Sequence, residues 1–92
     1  MKTILVTGGA GFIGSNFVSH IFKKYKDYRI IVLDALTYAG NLENILLDIR
    51  NSDRFEFWYG DVNNLVLVSD LVGRSDVVVH FAAETHVARS LY

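Results

Sequence analysis

The 92-residue sequence contains no cysteine. That excludes a disulfide frame, a thiolate nucleophile and any cysteine-based metal site, and it is compatible with a reducing, cytoplasmic setting. Proline is absent too, and nothing functional follows from that. No stretch approaches the roughly 20 apolar residues of a membrane span. The apolar run at the start, Ile4-Leu5-Val6, is cut short by Gly8 and is too brief for a secretory signal. Charge is nearly balanced, with nine basic and ten acidic residues and a formal net charge of −1. There is no basic stripe, which argues against nucleic acid as a partner.

What is present is apolar and aromatic. Hydrophobic residues make up 51% of the chain, with six Phe, five Tyr and one Trp. Such a composition suits a globular chain with a buried sheet rather than a disordered one. The length allows one small domain and leaves no room for a second.

Apolar stretches alternate in type along the chain. Ile4-Leu5-Val6, Arg29 to Leu33, Arg54 to Tyr59 and Asp76 to Phe81 read as strands. Val77-Val78-Val79 is expected to be a fully buried run. Between the first two strands, apolar residues at 12, 13, 17, 18, 21 and 22 have helical spacing up to about Tyr25. A second helix is predicted from Asn41, as N-cap, to about Ile49. A third, short one runs from Leu65 to Val72 and is expected to cap at Gly73. Strands alternating with helices imply parallel pairing through right-handed crossovers. The fold class expected is α/β: the first half of a Rossmann-type, doubly wound parallel sheet, with strand order 3-2-1-4. Such a domain normally continues with further strands, and no stop signal follows the fourth strand. The expectation is therefore that residues 1–92 are the N-terminal part of a longer chain.

The first loop carries the chemistry. Thr7-Gly8-Gly9-Ala10-Gly11-Phe12-Ile13-Gly14 places glycines in the form G-x-x-G-x-x-G between a strand and a helix. A pyrophosphate needs exposed backbone N–H groups and the positive end of a helix. Gly8 is expected to make the tight turn, Gly11 to let the pyrophosphate approach, and Gly14 to let the helix pack closely. Phe12 and Ile13 would supply N–H groups at the first helical turn. Glycine-rich turns without a ligand exist, but this one has the required strand, helix and acidic residue around it.

That acidic residue is Asp34, 20 residues after Gly14 at the end of the second strand. A carboxylate there accepts hydrogen bonds from the ribose hydroxyls of an adenosine and repels a 2′-phosphate, so NAD is preferred over NADP. The alternative is an Asp that merely caps its loop. Gly60-Asp61-Val62 follows the third strand, where Asp61 is placed to accept the adenine amino group and Val62 to cover the ring. On its own, Gly-Asp reads equally as a turn.

The glycine loop resembles that of the extended short-chain dehydrogenase/reductase superfamily. Two further segments narrow the resemblance to the dTDP-glucose 4,6-dehydratase family. One is Asp34-Ala35-Leu36-Thr37-Tyr38-Ala39-Gly40-Asn41-Leu42-Glu43. The other is His80-Phe81-Ala82-Ala83-Glu84-Thr85-His86-Val87-Ala88-Arg89-Ser90. UDP-glucose 4-epimerases share the loop and a His-Phe-Ala start, but not these two segments. The resemblance implies an NAD-dependent, homodimeric lyase of nucleotide-sugar metabolism. Its members oxidise dTDP-glucose at C4, eliminate water across C5–C6 and return the hydride to C6. It also implies that Phe12, Ile13, Asp34, Ala35, Leu36, Thr37, Asp61, Val62, Phe81, Ala82, Ala83, Glu84 and Thr85 line the NAD site, and that Thr85 also touches the sugar. One departure is Ala88, where the family commonly has Asp.

The superfamily's Tyr-x-x-x-Lys acid–base pair is not in this stretch: Arg29, Val32, Leu42 and Asn63 lie four residues after Tyr25, Tyr28, Tyr38 and Tyr59. Nor is the later Thr-Asp-Glu segment that carries the elimination. No catalytic residue is therefore assigned within the chain, and none of its histidines has metal-ligand spacing. His20 is expected on a solvated helix face and His80 as a satisfied core residue. His86 is left open between a site contact and none. Another epimerase or dehydratase of the same superfamily, or a non-catalytic NAD-binding module, stands as the alternative reading.

Overall fold

The computed structural model describes residues 1–8, 10–36 and 42–81. Its elements are β1 (Lys2–Thr7), α1 (Phe12–Lys24), β2 (Tyr28–Asp34), a 3-10 turn (Leu42–Asn44), α2 (Leu47–Arg50), β3 (Phe55–Tyr59), α3 (Leu65–Gly73) and β4 (Val77–His80). The four strands form one parallel sheet in the order β3-β2-β1-β4, the order predicted. Register is set by Ile4 opposite Ile30 and Val77, and by Ile30 opposite Phe55.

The two inner strands explain why their sequences are apolar without alternation. Successive side chains of a strand point to opposite faces, and here both faces are covered. Ile4, Val6, Ile30 and Val32 pack against Val18 and Ile21 of α1 and against Ile45 and Ile49. Leu5, Ile31 and Leu33 point the other way and pack against Leu71 of α3. Helix α1 ends in Lys23 and Lys24, cations that complement the negative end of the helix dipole.

Three expectations are corrected. The helix predicted from Asn41 to Ile49 is broken: a 3-10 turn ends at Asn44, and α2 starts afresh at Leu47. Leu46 takes an extended conformation (φ −57°, ψ 145°). Ile49 donates to Leu46 instead of Ile45, and the carbonyl thereby freed at Ile45 accepts from Arg50 Nε at 3.0 Å. Ile45 and Ile49 both bury in the same core cluster, and in so short a segment a continuous helix is only marginally stable. The N-cap assigned to Asn41 lies outside the described residues.

Gly73 is not a left-handed cap. It is the last residue of α3, and Arg74 closes the helix with φ −95°, donating from its N–H to Leu71 and Val72. β4, finally, is not fully buried: Val77 is 42% and Val78 47% exposed. The strand is at the sheet edge and pairs with β1 on one side. Its apolar run is therefore only half covered among the described residues.

Candidate functional site

All four strands are parallel, so their carboxyl ends share one edge of the sheet. Thr7, Asp34, Tyr59 and His80 end there. The residues after β1, β3 and β4 each continue the ladder by one bond. Gly8 N–H donates to Leu33 O at 2.8 Å, Gly60 N–H to Asp34 O at 3.1 Å, and Phe81 N–H to Thr7 O at 2.7 Å. The chain leaves β1 toward β2 on one side while β4 flanks it on the other. In α/β sheets, ligands commonly bind at the carboxyl edge where the strand order reverses in this way.

The glycine loop is built as the sequence implied at its first turn. Gly8 has φ +73°, a left-handed conformation that L side chains adopt only at a cost. Gly11 N–H returns to Gly8 O at 3.1 Å and closes that turn. We expect Gly8→Ala to lower unfolding stability by about 1–2 kcal/mol, measured by urea titration. Gly11 itself is the N-cap of α1, with extended backbone and no side chain to cap the helix. The first helical bond is donated by Ser15 to Gly11 at 2.8 Å. The N–H groups of Phe12, Ile13 and Gly14 precede it, and such groups have no partner within their own helix. Phe12 is 74% and Ile13 57% exposed, while Gly14 is buried. An uncapped helix start presents the positive end of the helix dipole, the chemistry suited to an anion.

Asp34 holds the two sides of this site together. Its Oδ2 accepts from Ala10 N–H at 2.9 Å, and its Oδ1 from Leu36 N–H at 2.8 Å. Leu36 has φ +53°, unusual for a residue with a Cβ and strained by about 1 kcal/mol or more. The Asp34–Leu36 bond is the Asx-turn that holds it there. So Asp34 does cap its loop, and each carboxylate oxygen retains a second lone pair for another donor. Ala35, between them, is half-buried.

Asp61 is exposed and forms a similar turn, its Oδ1 accepting from Asn63 N–H at 2.9 Å. Val62 turns its side chain toward the Leu5–Leu71 cluster. Gly60 is crowded: a Cβ there would stand 2.5 Å from Leu67 Cδ2. Phe81 packs against Phe17 of α1, with ring centroids 5.4 Å apart. Thr37 and the run Ala82, Ala83, Glu84 and Thr85 lie outside the described residues, as do His86 and Ala88.

His80 is exposed rather than buried, which corrects the expectation of a core histidine. Its partner is as expected of a satisfied group: Nδ1 shares a hydrogen bond with Thr7 Oγ1 across the β1–β4 boundary. Thr7 is buried. His20 is exposed, as predicted. Among the described residues no group of three His, Cys, Asp or Glu is placed to hold a metal ion. No helix among them is long and apolar enough to cross a membrane.

Sequence patterns missed two contributors. One is Thr7, whose place at the end of an apolar run hid its pairing with His80. The other is Asn44, whose side chain reaches the glycine loop at Ala10 O, 2.9 Å away. No local signal marks either, because both partners are distant in sequence.

Fold and edge geometry together define a Rossmann-type α/β chain, and comparison with known proteins gives its family. Residues 5–92 match the family model of GDP-mannose 4,6 dehydratase. The chain belongs to that family. It is 52% identical over 88 residues to the dTDP-glucose 4,6-dehydratase of Mycolicibacterium smegmatis, covering 96% of this chain and 26% of that protein. With the Escherichia coli dTDP-glucose 4,6-dehydratase it shares 47% over 90 residues, 96% of this chain and 24% of the relative. Among solved structures it resembles the dTDP-glucose 4,6-dehydratase of Bacillus anthracis in complex with NAD. There the TM-score is 0.83 and the identity 45%, over 94% of this chain and 28% of that one. A UDP-glucose 4-epimerase with UDP-glucose from Thermotoga maritima matches at TM-score 0.73 and 33% identity, over 94% and 26%. The chain thus spans about a quarter of the length of these relatives.

Proposed function

We propose that residues 1–92 are the N-terminal, NAD-binding part of a dTDP-glucose 4,6-dehydratase. In this reading the rest of the Rossmann domain, the substrate domain and the acid–base residues lie beyond the chain. The observation that carries the reading is the junction of Asp34 with the glycine loop, on a chain 52% identical to a named dehydratase.

The residues present fit NAD. The positive-φ turn at Gly8 and the side-chain-free N-cap at Gly11 leave backbone room for a pyrophosphate. The N–H groups of Phe12, Ile13 and Gly14 would bind it. Asp34, with lone pairs left on both oxygens, would accept the ribose hydroxyls, and its charge would disfavour a 2′-phosphate. Ala35, Leu36 and Thr37 would flank the ribose. Asp61 and Val62 would meet the adenine, Val62 mainly through its backbone since its side chain packs inward. Phe81 to Thr85 would run beneath the remainder of the dinucleotide, with Thr85 also reaching the sugar. NAD, when bound, supplies the hydride acceptor at C4 and the hydride donor at C6.

The family resemblance further supports a cytoplasmic homodimer acting on dTDP-glucose. The test is product analysis of the full-length protein incubated with dTDP-glucose. A 4-keto-6-deoxy sugar nucleotide is expected. A C4 epimer would move the protein to the epimerases, and absence of NAD binding at millimolar concentration would remove the reading altogether.

A further inference from the structure

We propose that Asn44 is a positioning residue for the pyrophosphate loop, an inference that rests on the NAD reading above. Ala10 sits fully buried in the middle of that loop. Both polar atoms of its backbone are taken by side chains from later in the chain. Its N–H donates to Asp34 Oδ2 at 2.9 Å, and its carbonyl accepts from Asn44 Nδ2 at 2.9 Å. A carbonyl only accepts, so the Asn44 amide must present its NH2 group.

This arrangement has a consequence for ligand binding. The Ala10 N–H is already used, so a phosphate must be met by the N–H groups of the next turn, from Phe12 onward. Their direction depends on how the Ala10–Gly11 segment is set. Glycine gives that segment little steric guidance of its own. The guidance comes from two anchors, one on each side of the Ala10 residue. Asn44 is itself well placed to act as one. It ends the 3-10 turn Leu42–Asn44, and the next residue, Ile45, is buried in the core beneath α1. The donor is thereby tied to the core, while its side chain reaches the loop. Fixing the loop at folding removes an ordering cost from the binding step, which raises affinity without any contact to the ligand.

The experiment uses the full-length protein with Asn44→Ala and Asn44→Asp, titrated by calorimetry with NAD and with ADP. Adenosine, which has no phosphate, is followed by displacement of NAD. Asn44→Ala is expected to weaken NAD and ADP about tenfold, or about 1.4 kcal/mol. Asn44→Asp is expected to weaken them more, because its carboxylate faces the Ala10 carbonyl. Adenosine binding is expected to stay within twofold. NAD affinities within twofold of the parent in both folded variants would overturn the inference. So would equal weakening of NAD and adenosine, which would mark a general structural role. Failure of the parent itself to bind NAD would instead overturn the underlying functional reading. Should both variants fail to fold, NMR of the ligand-free parent decides. Slow exchange of the Asn44 side-chain NH2 supports the anchor, and free exchange overturns it.

Discussion

Replacing Asp34 by alanine is expected to weaken NAD binding at least about a hundredfold, close to 2.7 kcal/mol, and to destabilise the fold as well. The two losses have different origins. In the absence of ligand the carboxylate accepts from Ala10 and Leu36, one bond on each oxygen. Hydrogen bonds to charged groups contribute about 1.5–3 kcal/mol each, and water can partly replace these at a half-exposed site. A stability loss of about 3 kcal/mol is therefore expected. Without its bond to Asp34, Leu36 has no reason to hold its left-handed φ. With ligand present, the ribose loses its acceptor too. Asp34→Asn separates the contributions. Its one oxygen can serve one of the two N–H groups, but its NH2 must then face the other donor. It should lose stability by less than alanine does, yet still bind NAD poorly. Calorimetry together with urea unfolding of the full-length protein checks both. Retention of NAD affinity within twofold in Asp34→Asn would sink the assigned role.

The second large effect is expected at the opposite edge of the sheet and should leave the cofactor site alone. Arg54 precedes β3, and its guanidinium gathers three backbone carbonyls. Nη1 donates to Tyr25 O at 3.0 Å and Tyr28 O at 2.8 Å, and Nη2 to Phe22 O at 3.2 Å. The group also lies 4.0 Å from the centroid of the Phe22 ring. Phe22 is in the last turn of α1, where carbonyls have no helical partner, and Tyr28 opens β2. One side chain therefore joins the end of α1, the start of β2 and the approach to β3. A cation there also complements the negative end of the helix dipole. Arg54→Ala should cost about 3 kcal/mol, with charge-assisted bonds as the main loss. Arg54→Lys should recover only part, since an ammonium has no planar fork to span the three acceptors. NAD affinity of the folded Arg54→Ala protein should remain within twofold. Unfolding midpoints in urea, paired with calorimetry, would show whether the amino and carboxyl edges are as independent as this requires.

The contrast between the two sites shows where sequence reasoning succeeds. Gly8 and Asp34 stood out because their signals are local: a left-handed turn wants glycine, and an acidic residue at the end of the second strand lies at the distance the glycine fingerprint sets. Arg54 and Asn44 were not, because their partners are carbonyls of the main chain, which every residue possesses. A side chain that binds backbone leaves no complementary residue to notice. The second helix was misread as continuous. The pattern around Ile45 and Ile49 is helical and both do bury in one core cluster, but the chain forms a 3-10 turn and a separate short helix there, because so short a segment gains little from continuous helix.

By itself, the sequence determined the parallel sheet and its order. Uninterrupted apolar strands alternating with helices admit few other arrangements. It also determined the glycine turn after β1, since only glycine tolerates the Gly8 conformation without strain. Tertiary structure decided the rest. It left the apolar run of β4 half exposed among the described residues, where the strand pairs with β1 alone. It exposed His80 and gave it Thr7 as partner. And it fixed the glycine loop through Asp34 and Asn44, because holding a flexible segment takes groups that only folding brings within hydrogen-bond reach.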